Sequence, residues 1–234
     1  MIVKSLKNLI VSLLAVFVSL ALADAKVVYV NAAAGAAGDG TSWSTACRYL
    51  QDALVLTVAG DEVWVAAGTY YPDDGSAVTT GDRTASFTLK QDVKLHGGFA
   101  GGETDIAQRN PATNVTVLTG EIWAEKIYWS LHVVTLAGNA TLDGVTVTKG
   151  NANGETTPYI YGAGIYSPSP GTLTVTNCTF TGNTAASSGG AIYASSSSPV
   201  TATNCTFTGN TAATYGGAIY AWRIQTVREY LEEG

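Results

Sequence analysis

Residues 177–193, Asn-Cys-Thr-Phe-Thr-Gly-Asn-Thr-Ala-Ala-Ser-Ser-Gly-Gly-Ala-Ile-Tyr, recur at 204–220 with fifteen of seventeen positions identical and an offset of 27. The flanks keep that offset, Leu173–Thr176 preceding the first copy as Val200–Thr203 precede the second. One step upstream, Gly162-Ala163-Gly164-Ile165-Tyr166 stands 27 residues before Gly189-Gly190-Ala191-Ile192-Tyr193. Val145–Asn151 is a looser relative that needs a short insertion to align. A repeat of this length confines a chain to a solenoid, a propeller or an array.

The contents of the unit choose among these. Leu173 and Val175 alternate with Thr174, and Cys178 and Phe180 with Thr179 and Thr181, which is strand periodicity. Cys178 has the opposite parity to Leu173 and Val175, so the backbone must bend near Thr176–Asn177. Gly182-Asn183 and Gly189-Gly190 mark further corners. Three short strands and three corners in 27 residues describe one coil of a parallel β-helix, whereas a propeller blade takes about 40–45 residues. Successive coils then lie about 4.8 Å apart. This stacks Phe180 on Phe207, Ile192 on Ile165 and Ile219, Asn183 on Asn210, and Gly189 and Gly190 on Gly216 and Gly217. The repetition reads first as architecture.

Earlier β-branched runs, Val63-Trp64-Val65, Val93-Lys94-Leu95, Val115-Thr116-Val117 and Val133–Leu136, read as irregular coils over 61–140, leading into regular repeats over 142–220. Before them, Ala46, Leu50, Ala53, Leu54 and Val58 fall near helical spacing, with Ser42 or Ser44 as N-cap and Gly60 as the stop. Such a helix would cap the open first coil of a β-helix domain over 26–221. After Tyr220 the repeat stops, and Ile224, Val227 and Leu231 are spaced for a helix. Residues 222–234 read either as a C-terminal cap or as a truncation scar.

Lys4 and Lys7 precede an almost uninterrupted apolar run, Leu9–Leu22, and cleavage-type small residues stand at Ala23 and Ala25. That is the pattern of a signal peptide over 1–25, since the run is short for a membrane span. The expected location is secreted or on the cell surface, with no membrane span in the mature chain. Export permits disulfides, but Cys47, Cys178 and Cys205 are odd in number. Cys178 and Cys205 occupy equivalent repeat positions, as small buried hydrophobes or, sterically open as well, as a disulfide.

Only 13% of the 234 residues are charged, about half the usual share. The net charge of −6, with no basic stripe to neutralise phosphates, disfavours nucleic acid as partner. The 22 aromatic residues exclude a disordered tail, and Gly has no period of three.

The units Phe180–Asn183 with Gly189–Ile192, and Phe207–Asn210 with Gly216–Ile219, resemble the paired FxxN and GGA[ILV] motifs of polymorphic outer membrane protein repeats. Asp61–Tyr70, Leu95-His96-Gly97-Gly98-Phe99 and Leu142–Val147 resemble large secreted bacterial right-handed parallel β-helix proteins of the pectin-lyase-like fold. The resemblance spans 27–220 and implies an all-β, right-handed parallel β-helix and export. It also implies a second class of function, because that fold hosts polysaccharide lyases and hydrolases.

Lyase or hydrolase chemistry needs paired carboxylates, or a basic residue beside acidic Ca²⁺ ligands. Between Leu142 and Trp222 the charged residues are Asp143, Lys149 and Glu155, which form no pair in register. Catalytic candidates therefore fall earlier, at Asp73, Asp74, Asp82 and Arg83. Asp73-Asp74-Gly75 also reads as a solvated turn, and Arg83 and Arg109 as members of weak surface ion pairs. His96 and His132 have no Cys or Glu at ligand spacing, and no cofactor or metal motif occurs. The leading expectation is a non-catalytic adhesion or binding protein. Its partners would be extracellular glycans or host or neighbour-cell surface proteins, met by the loops Gly154–Tyr161 and Ser195–Pro199. A third reading is ice binding by the outward pairs Thr146/Thr148, Thr179/Thr181 and Thr206/Thr208, set against the ordinary liking of threonine for strands.

Overall fold

The computed structural model describes residues 25–35, 38–122, 128–168 and 170–230. The signal peptide, with Ala23, lies outside them except for Ala25. Strand β1 (Val27–Val30) begins the coil and is followed by a 3-10 turn, Trp43–Thr45, and helix α1 (Leu50–Leu56). The next turn holds β2 (Glu62–Ala66), β3 (Gly68–Tyr70) and β4 (Phe87–Leu89). Then come β5 (Val93–Phe99), β6 (Thr116–Thr119), β7 (Glu121–Ile122), β8 (Tyr128–Trp129) and β9 (Val134–Leu136). The three regular coils follow. They are β10 (Ala140–Asp143), β11 (Val145–Thr148), β12 (Asn151–Ala152) and β13 (Ile165–Ser167), then β14 (Leu173–Thr176), β15 (Thr179–Thr181), β16 (Thr184–Ala185) and β17 (Ile192–Ala194). The last holds β18 (Val200–Thr208), β19 (Thr211–Ala212) and β20 (Ile219–Tyr220), and β21 (Ile224–Tyr230) ends the described chain.

Every pairing among these is parallel except the β7–β8 hairpin. A first wall runs β1-β2-β5-β10-β14-β18, a second β3-β6-β11-β15-β18, and a third β4-β9-β13-β17-β20. The regular coils also carry a fourth, two-residue wall, β12-β16-β19, so they hold four paired segments where the sequence suggests three. Beneath the fourth lies a small cluster of alanines, Ala152, Ala163 and Ala185, with Ala212 packed against it.

The bend near Thr176–Asn177 is present, and its cause is visible. Asn177 and Asn204 both have φ +51°, in the left-handed region, and they follow the column that Gly144 begins at φ +72°. Asn tolerates that region better than other residues with a Cβ. The expected stacks form in register: Phe180 lies on Phe207 with ring centroids 4.9 Å apart, and Ile165, Ile192 and Ile219 pair in turn. Inside the first wall Val28, Val63, Leu95, Leu142, Val175 and Ala202 form one continuous apolar column. All three cysteines are buried free thiols, as the hydrophobe reading expects.

Two local expectations are corrected. The helix is shorter than the spacing over 46–60 suggests. Ser42 caps the 3-10 turn instead, while α1 starts after Tyr49 without a side-chain cap and leaves Val58 exposed. It still packs Leu50, Ala53 and Leu54 into the core at the first coil. Ile224–Tyr230 is a strand on β18 rather than a helix, because the free edge of β18 offers backbone partners that outweigh a three-and-four spacing.

Candidate functional site

The four catalytic candidates do not converge. Asp73 and Asp74 line a cleft of about 400 Å³ with Arg48, Tyr49, Tyr70, Tyr71 and Thr80. Within it Asp73 is buried and accepts the Gly81 amide at 3.0 Å. Asp82 is not among the residues that line the cleft and sits in an exposed turn, accepting from the Thr84 N–H and hydroxyl. Arg83 forms no surface ion pair among the described contacts. It donates to the Trp129 and Asn151 carbonyls at 2.9 and 3.1 Å and to Asn153 Oδ1, tying a long excursion to the next coil.

Charges that the sequence presents as surface pairs prove partly buried. In the outward column Trp64–His96–Asp143, Asp143 Oδ2 meets Arg109 and lies 3.6 Å from His96, and its Oδ1 accepts from Asn177 at 3.0 Å. The Arg109 and Asp143 side chains are only 13% and 15% exposed, which corrects the surface-pair reading. Burial pushes the Asp143 carboxyl up. The His96 ring, the Asn177 amide and the Arg109 guanidinium outweigh that and hold it below the ordinary carboxylate range. Arg109 also donates to the Gly97 carbonyl, and Asn110 N–H to that of Gly98. The cluster thus clamps the loop between β5 and β6 over the first wall. With both its oxygens engaged, Asp143 is built for holding a loop.

A different arrangement stands open where β7 and β8 leave the second wall. The hairpin presents Trp129, 45% exposed, beside a pocket of about 280 Å³ whose other walls include Glu121, Lys149, Asn151, Gly182 and Thr184. Lys149 Nζ meets Glu121 Oε1 at 2.7 Å, and the Thr119 hydroxyl donates to Oε2. Arg83 fixes the backbone of Trp129 and Asn151 from behind. Lys149 holds φ +60°, and the residues stacked on it in the next two coils are Gly182 and Gly209. A side chain at such a position costs roughly 1–2 kcal/mol. The lysine therefore stands where the repeat itself prefers glycine, and its ammonium reaches the pocket from there.

Residues 126–227 match a family model described as a right-handed beta helix region. The chain is a right-handed parallel β-helix. No curated protein and no solved structure matched it. The matched segment starts at the hairpin and takes in the three regular coils, so the pocket lies at the first of the β-helix's regular coils.

Two further ladders line the outside of the β-helix. Tyr166, Tyr193 and Tyr220 stack in register at 5.7 and 5.4 Å, with His132 beneath Tyr166 at 4.7 Å. Their faces cover one another, so this column presents mainly ring edges and hydroxyls. The threonine pairs named above do form two columns on the second wall. Of the expected contact loops, Ser195–Pro199 is a compact turn closed by Ser198 N–H on the Ser195 carbonyl, and Gly154–Tyr161 is closed by Gly154 N–H on that of Tyr159. No helix among the described residues is long and apolar enough to cross a membrane.

Trp129 and Glu121 escaped the sequence reading because they face each other across a hairpin that belongs to no repeat and meet Lys149 only from the next coil. Lys149 did carry a signal, since it replaces glycine at the corner of the loosest repeat copy.

Proposed function

We propose that this chain is an exported, non-catalytic binding protein of bacterial surface type, related to polymorphic outer membrane protein repeats, whose β-helix holds a glycan at the Trp129 pocket. The observation that carries the reading is the half-exposed Trp129 indole beside a pocket whose apolar surface is edged by Glu121, Lys149, Asn151 and Thr184. A pyranose offers an apolar C–H face and a rim of hydroxyls. An aromatic plate with a few placed polar groups is the matching surface. The solenoid supplies the preorganisation, because Glu121 lies in β7, Lys149 directly follows β11 and Thr184 lies in β16, each in or next to a paired strand.

A glycan array followed by calorimetry tests this. Trp129→Ala is expected to weaken binding of the retained glycan by at least about tenfold, in the range of a lost aromatic anchor, with the melting temperature unchanged. No polysaccharide should be cleaved. Release of unsaturated or reducing sugar ends that is lost in Asp73→Ala would overturn the proposal in favour of an enzyme of the Asp73–Asp74 cleft.

A further inference from the structure

The pocket's charges say more about the ligand than its shape does. Among the described residues Lys149 is the cation that lines the pocket, and its ammonium is already committed to Glu121 Oε1 at 2.7 Å, while Glu121 Oε2 accepts from Thr119. The other described side chains that line it are neutral: the Trp129 indole, the Asn151 amide and the Thr184 hydroxyl. Thr184 accepts a hydrogen bond from Thr211 at 3.1 Å, which leaves its own O–H free to donate. An acidic sugar entering here would meet the Glu121 carboxylate and a lysine whose charge is cancelled, on a chain of net charge −6. A neutral sugar meets hydroxyl and amide partners and an aromatic plate, and has no charge to desolvate.

Resting on the glycan reading above, we infer that the pocket selects neutral hexose glycans over acidic ones, and that the Glu121–Lys149 pair sets this choice. Glu121 is the discriminating residue, through repulsion of a sugar carboxylate and neutralisation of Lys149, the cation that lines the pocket among the described residues. Lys149 holds Glu121 in place. Its left-handed backbone is where a lysine is disfavoured and glycine recurs, so the repeat's geometry does not require it.

That geometry also supplies clean variants. Glu121→Gln keeps the side-chain shape and frees the ammonium. Lys149→Gly installs the residue that the next two coils carry at this corner, so the fold is retained while Glu121 loses its partner. Calorimetry at pH 7 with cellohexaose, mannohexaose and hexagalacturonate, each at low and high salt, reads the outcome, with melting curves as the check on folding. The unmodified chain is expected to bind a neutral hexasaccharide at least about tenfold more tightly than hexagalacturonate. In Glu121→Gln the gap should close or reverse, and the gained hexagalacturonate binding should fade as salt rises. Lys149→Gly should widen the gap, with hexagalacturonate losing more affinity than the neutral probe does. Equal or tighter binding of hexagalacturonate by the unmodified chain overturns the inference and leaves the glycan reading standing. So does a preference that Glu121→Gln does not move. Binding of none of the three probes, or binding untouched by Trp129→Ala, overturns the glycan reading and the inference with it.

Discussion

Asn183 is fully buried, and each of its polar atoms works. Its Oδ1 accepts the Gly150 amide at 2.9 Å, and its Nδ2 donates to the Val147 carbonyl at 3.0 Å and to Asn210 Oδ1 at 2.9 Å. Corner backbone that no strand partner serves is thus satisfied from inside the coil, one side chain bridging three coils. Replacing it with leucine keeps the bulk but leaves a buried N–H and a buried C=O without partners. Each orphan costs roughly 1–3 kcal/mol. Asn183→Leu should therefore lower stability in chemical denaturation by about 3 kcal/mol. A change below about 1 kcal/mol would mean that water takes over the amide's role. Asn177 works from the outside of the next corner, by backbone conformation and by its hydrogen bond to Asp143. The two asparagines of one repeat unit thus do different jobs, which their shared identity in the sequence does not announce.

At the scale of elements, what was legible followed the repeat. The parity change at Cys178, the three long walls and the Phe, Ile and Asn stacks all follow from laying one 27-residue unit on the next. What was not legible depended on neighbours that the sequence does not place side by side. Ile224–Tyr230 takes the strand state because β18 offers it an edge. The fourth wall is two residues long, too short to show a period. The pocket needs Glu121 and Trp129 from one coil and Lys149 from the next. Helix α1 shows the same limit in miniature. Spacing puts Leu50, Leu54 and Val58 on one face, yet the helix stops at Leu56, the Thr57 hydroxyl bonds the Leu54 carbonyl, and Lys90 takes those of Val55 and Thr57. Paired mutants separate the two pictures. Leu50→Ala should cost about 3 kcal/mol, as deletions in a packed core do, whereas Val58→Ala should stay within about 0.5 kcal/mol. Comparable losses at both sites would mean that Val58 is part of the plug after all.

For the whole molecule, scarcity of charge is a condition of stacking, because identical coils about 4.8 Å apart would set like charges against one another. Apart from the stacked thiols of Cys178 and Cys205, the buried ionisable groups are consequently few, and they stand where the repeat is broken. Two of them should govern how the fold responds to acid, in separate windows. Burial pushes the His132 imidazole below its ordinary value, more than its contact with the Gly162 carbonyl raises it, so the folded chain holds it neutral. Unfolding releases it to protonate near the usual value of about 6.5, so stability should start to fall as pH drops below that point and go on falling to the depressed folded value. Asp143 is also lower when folded, and its contribution, complete above the unfolded carboxyl value of about 3.9, should be lost as pH falls further. Denaturation midpoints followed from pH 8 to pH 3 should thus show two descending steps. His132→Phe, which keeps a ring for Tyr166 to stack on, should remove the upper step and leave the lower. Asp143→Asn should shrink the lower step, to which Glu62 and Glu103, also held low in the folded chain, contribute the remainder, and leave the upper. If His132→Phe leaves the upper step in place, the acid sensitivity of this β-helix does not come from the base of its tyrosine ladder.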